Sequence, residues 1–166
     1  MSQGHGYPIT GRLLARNHAP SLGVDLESVL SGDMLSQARV ALGMQRSLDN
    51  AAQRAADGSI PQTSTVRAHQ ALEWVTVEGA RMLGQLSRIG TLAQGKQADL
   101  VLIRATDLNM QPVNDPINSV VMQTSLANID SVMIAGRWKK RHGRLMDVRS
   151  EEHTSELQSP CNLVCR

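Results

Sequence analysis

From Met34 to Ala56 the chain carries one apolar stripe. Leu35, Ala38, Leu42 and Leu48 recur at intervals of three and four, with Gln45 on the same face. Arg39, Arg46, Asp49 and Arg54 fall elsewhere, so the spacing predicts a long amphipathic helix. Ser31 or Asp33 is its candidate N-cap. "DGSIPQTST" ends it with Gly58 and Pro61. A second helical block, "VRAHQALEWVTVEGARMLG", places Val66, Leu72, Val75, Ala80 and Leu83 on one side. It should break near Thr76, which can cap a second short helix, and stop at Gly84. Upstream, "PITGRLLARN" reads as a short helix, with Asn17 able to take the left-handed position after it. "APSLGVD" follows as a short buried strand, the αβ half of an α/β unit.

Beyond residue 86 the pattern turns to β. "ADLVLIRA", "INSVVMQT" and "DSVMIAGRWKKR" are rich in Val and Ile and are separated by Asp, Asn, Pro and Gly. Three strand segments are predicted, with Ala135-Gly136-Arg137 at a turn or bend between strands. An α/β piece thus precedes a small β piece.

Length allows one modest domain or parts of two, since the chain has 166 residues. The only aromatic residues are Trp74, Trp138 and Tyr7, so the core must be built from Leu, Val, Ile, Met and Ala. No stretch approaches the roughly 20 apolar residues of a membrane-spanning helix. "MSQGHGYPIT" lacks the basic and apolar regions of a secretory signal.

The tail "RSEEHTSELQSPCNLVCR" has neither a helical nor a strand period. Its first part reads as the in-frame translation of a common sequencing adapter. The alternative is a disordered polar terminus, and both readings exclude residues 149–166 from the fold. Cys161 and Cys165 lie there, so the body has no cysteine for a thiolate metal site, a catalytic thiol or a disulfide. The tail holds Arg149 and Arg166 against Glu151, Glu152 and Glu156, so without it the net charge of +2 rises by one. The cluster Lys139, Lys140, Arg141 and Arg144 is short, and reads as a solvated hairpin end rather than a nucleic-acid patch.

Two motifs mislead. "GTLAQGKQ", Gly90 to Gln97, nearly matches a phosphate-cradling loop, but Gln97 stands where a Ser or Thr must hold magnesium. A strand follows it where that loop needs a helix. "GHGYP" lacks the spacing of a dinucleotide-binding turn. Among the histidines, His5, His18, His69 and His142 form no ligand pair at H-x-H or H-x-x-x-H spacing. His69 and His142 read as surface residues, and a role is open only for His5. Asp25, closing the apolar run Leu22 to Val24, is either a strand-end cap or a carboxylate aimed at something.

In order, "GHGYPITGRLLARNHAPSLGVD", "ALEWVTVEGARMLG", "IGTLAQGKQADLVLI" and "VMIAGRWKK" resemble the C-terminal part of the amidohydrolase superfamily. The nearest branch contains cytosine deaminase-like and aromatic aminohydrolases and the triazine chlorohydrolases. The resemblance implies an α/β fold: the last strand and helices of a (β/α)8 metal-dependent hydrolase barrel, plus part of a small β-sandwich. Residues 1–85 would be the barrel end, 86–148 the partial composite sandwich and 149–166 the adapter-derived disordered tail. It also implies that Asp25 ends the eighth strand, ligates one zinc or iron ion and acts catalytically as a proton acceptor. Such an ion lowers the pKa of its water to roughly 7.

The other family ligands, an H-x-H pair and a further His, have no counterpart in this chain, nor have the catalytic Glu and His. A barrel alone takes about 250 residues, so the chain reads as a fragment, inactive and poorly folded by itself. The implied parent is a cytoplasmic homo-oligomer that hydrolyses C–N bonds of a small heterocyclic substrate, with no nucleic-acid or membrane partner. Chlorohydrolase, imidazolone-type and cyclic amidase activities of the same superfamily stay open. So does a small α+β module that binds a partner and catalyses nothing.

Overall fold

A computed structural model describes residues 7–25 and 31–146. The readings on His5, on the "GHG" turn, on the loop at 26–30 and on the tail with Cys161 and Cys165 lie outside the described residues.

The helical half follows the apolar stripes. Helix α1 spans Thr10–Leu14, and Asn17 behind it takes a left-handed φ of 58°. Helix α2 spans Met34–Asp57. Asp33 is its N-cap, accepting the Ser36 N–H at 2.7 Å. Burial alone would raise the Asp33 pKa, but hydrogen bonds from Ser31 and Ser36, with the charge of Arg39, hold it below the usual carboxylate range. Gly58 closes the helix at φ 77°, a conformation that costs a glycine little. Helix α3 is Ala68–Trp74 and helix α4 is Val77–Met82, with the break at Thr76. Thr76 does not cap α4 with its side chain. Its hydroxyl donates back to the Leu72 carbonyl at 2.7 Å, satisfying the frayed end of α3.

The second half contains a four-stranded antiparallel sheet in the order β1-β2-β3-β4. Strand β1 is Leu100–Ile103, β2 Ile129–Ile134, β3 Arg137–Arg141 and β4 Arg144–Leu145. The turn at Ala135-Gly136 joins β2 to β3, with both residues at positive φ. Strand β1 lies at one edge with Val101 and Leu102 exposed.

One strand expectation fails. "INSVVMQT" forms a helix, α5, over Pro116–Gln123. The physical reason lies just before the Val-Val pair. The Asp115 carboxylate accepts the N–H groups of Ile117 and Asn118 at 2.9 and 3.2 Å, and Pro116 fits the first turn. This local start signal outweighs the β preference of Val120 and Val121. "APSLGVD" joins no sheet among the described residues. A strand needs a neighbour for its backbone groups; here the Leu22 N–H finds the Trp74 carbonyl at 3.3 Å, at the end of α3.

The core forms where α2, α3 and α5 meet, and Ala38, Leu42, Ala71, Trp74 and Val121 are buried in it. Leu14, Leu22 and Val75 pack against it from outside. Four small alanines, Ala38, Ala41, Ala68 and Ala71, let the helices approach closely around one large ring. Arg39 fastens α5 to α2, its Nε donating to the Val121 carbonyl at 3.0 Å and its Nη2 to the Thr124 carbonyl at 2.6 Å. These carbonyls end α5, where a helix leaves such acceptors free and cations are favoured. Arg39→Met should keep the side-chain stem but strand both acceptors, costing about 1–3 kcal/mol in a urea melt of the full-length protein. An unchanged midpoint would show that water satisfies those carbonyls equally well.

Candidate functional site

Asp25 stands where the segment leaves the core. Pro20 is buried, Leu22 and Val24 are half-buried, and Asp25 is exposed. The Leu22 hydrogen bond to Trp74 anchors this run three residues before the carboxylate. Asp25 has φ 66°, in the left-handed region that non-glycine residues visit sparingly and Asp more readily than most. Such a backbone turns the chain sharply at the carboxylate, and local strain of this kind clusters at functional sites.

A carboxylate is a hard oxygen donor suited to a divalent ion, so Asp25 fits as one ligand. Catalytic sites of this kind take three or more protein ligands. Among the described residues no group of three or more His, Cys, Asp or Glu side chains lies together. Asp25 by itself does not make a metal centre.

The other candidates of the sequence are used structurally. Lys96 of the near-miss phosphate loop turns its Nζ inward, donating to the Leu86 carbonyl at 2.5 Å and the Thr91 hydroxyl at 2.6 Å. It ties the Gly-rich turn together, and β1 follows. Gly90 in that turn has φ 90°, and a side chain there would meet the Ala80 Cβ at 2.6 Å. That glycine serves close packing of the turn on α4, not phosphate binding. His18 is exposed. His69 pairs with Glu73 one turn on at 3.6 Å, and His142 sits at an exposed turn with Asp130 at 3.5 Å.

One polar cluster escaped the sequence reading. Arg104 reaches Asp107 at 3.2 Å and Asp130 at 3.7 Å. The Arg104 hydrogen bond, then one from Asn128, holds the Asp107 carboxyl below the usual range. The Ser131 hydroxyl does the same for Asp130, aided by the charges of His142 and Arg104. The buried Asn128 amide bonds Asp107 at 2.7 Å and Asn109 at 2.9 Å. These bonds and ion pairs tie the turn after β1 to the start of β2. The hold of Trp74 on Leu22 also escaped, because a backbone contact between distant residues leaves no sequence pattern.

A model of the amidohydrolase family matches residues 11–139, a span that includes Asp25. The chain is 35% identical over 97 residues to a 5-methylthioadenosine/S-adenosylhomocysteine deaminase of Moorella thermoacetica, covering 58% of this chain and 23% of the relative. It is 34% identical over 121 residues to an 8-oxoguanine deaminase of Pseudomonas aeruginosa, covering 71% and 24% respectively. Its fold superposes on an adenosine deaminase from Xanthomonas campestris crystallised with bound zinc. There the TM-score is 0.72 and the identity 26%, over 87% of this chain and 30% of the other. The chain thus spans about a quarter of the length of the curated relatives it matches.

Proposed function

The chain belongs to the amidohydrolase family, and on that premise we propose that it is the C-terminal part of a metal-dependent aminohydrolase. The parent would hydrolyse the C–N bond of a small heterocyclic amine. The observation that carries this reading is the family match through Asp25 together with deaminases as relatives at about a third identity. Residues 1–85 would complete a (β/α)8 barrel, with "PSLGVD" as its eighth strand. The missing ladder partners of that segment would be the neighbouring barrel strands. Residues 86–148 would form part of the attached sandwich, and residues 149–166 would stand outside the fold.

Asp25 would hold one zinc or iron ion through a carboxylate oxygen, completing a ligand set supplied by residues outside this chain. When bound, a divalent ion supplies water that ionises near neutral pH. The chain's own contribution is the proton acceptor. An ionised carboxylate at the end of an anchored segment takes the proton from the attacking water, and can return it to the departing amine. A transfer of this kind is worth about 10²- to 10⁴-fold. The α3 end, through Trp74 and Leu22, keeps that oxygen in place.

The test is ammonia release from aminopurines and aminopyrimidines by the full-length protein, before and after metal chelation. Release that chelation abolishes and zinc or iron restores supports the reading. Release indifferent to chelation would refute it.

A further inference from the structure

The cavity between the C-terminal half of α2 and the loop leading to α3 has about 240 Å³ of space, and Asp25 is not in its wall. Its wall carries Arg46, Asn50, Thr63, Ser64 and Thr65. Arg46 and Asn50 lie one helical turn apart on α2, so both project to the same side. The guanidinium is fixed rather than free to wander: its Nε donates to the Val66 carbonyl at 2.8 Å. Its terminal Nη groups hold no further hydrogen bond among the described residues. The neighbouring carboxylate, Asp49, has both oxygens engaged, by the Gln45 amide at 2.7 Å and by the Thr65 hydroxyl. Asp49 itself is not part of the wall. Thr63 and Ser64, both with hydroxyls able to donate, line the same cavity beside this cation.

We propose that this cavity is a binding site for a small oxyanion, phosphate or a compact phosphate monoester. A fixed guanidinium with flanking hydroxyl and amide donors matches the charge and geometry of phosphate oxygens. Size selects the class: sites for drug-sized ligands run from roughly 300 to 1,000 Å³, so this cavity suits an ion or a compact ester.

The experiment is calorimetric titration of the full-length protein with inorganic phosphate, and separately with ribose 5-phosphate at equal ionic strength. Ser64→Asp places a carboxylate in the wall without touching the Arg46–Val66 bond, because Ser64 is an exposed loop residue. Saturable binding at one site, weakened about tenfold or more in Ser64→Asp by like-charge juxtaposition, is expected. Arg46→Met should abolish it. Tighter binding of the ester identifies a metabolite as the ligand; equal binding identifies the free anion; both support the site. No saturable binding, or unchanged affinity in Ser64→Asp with its melting temperature intact, would overturn the proposal.

Discussion

Replacing Asp25 with Asn in the full-length protein is expected to cut turnover of a heterocyclic amine by about 10²- to 10⁴-fold. The substitution keeps the shape of the side chain and removes its charge and its basicity. Asn tolerates the left-handed backbone of this position as readily as Asp does, so the local turn survives. Because Asp25 is exposed at the end of its segment, the melting temperature should hardly move. Activity and stability therefore separate. A strand-end cap would behave in the opposite way, losing a little stability and no turnover. Steady-state kinetics beside a thermal melt decide between the two, and full activity in Asp25→Asn would remove this residue from the chemistry.

The largest loss of stability is expected at Trp74. The ring is only 1% exposed and is the largest of the fully buried side chains, enclosed where α2, α3 and α5 meet. Trp74→Ala should cost about 3–5 kcal/mol, because the small alanines around it cannot collapse into the space. Its consequences should reach the site. The Trp74 carbonyl holds the Leu22 N–H, and Leu22 packs on the same core. A loosened α3 would release the segment that ends in Asp25, so the rate should fall along with the denaturation midpoint. Trp74→Phe, which keeps most of the ring, should lose much less of both. A Trp74→Ala midpoint within about 1 kcal/mol of the original would mean that the core repacks freely.

Much of this architecture is legible in the residues. The stripe from Leu35 to Leu48 marked α2, and Ser31 and Asp33 before it were its two cap candidates, of which the helix uses Asp33. These signals are legible because they are local. The Val- and Ile-rich runs around Ala135-Gly136 gave the β2–β3 hairpin for the same reason. "INSVVMQT" misled because its helix start, Asp115-Pro116, lies outside the apolar run that attracted the strand reading. "APSLGVD" is a different case. Its composition suits a buried strand, but a strand exists only through a neighbour, and the described residues supply just one carbonyl.

The site is legible to the same degree. Asp25 stands out as a charge closing an apolar run, and its carboxylate chemistry follows from residue type. Partners for it leave no local pattern, since groups that a fold gathers at one site are distant in sequence. The Arg46 cavity has no motif either: one helical turn meets a loop, and only the fold brings the donors together.

The most direct test of the central claim is the metal content of the full-length protein purified with and without Asp25→Ala. About one zinc or iron ion per chain is expected in the unaltered protein, and a weakly held, readily chelated ion in the variant. Metal retained equally by both would contradict it, and Asp25 would then be a strand-end cap and nothing more.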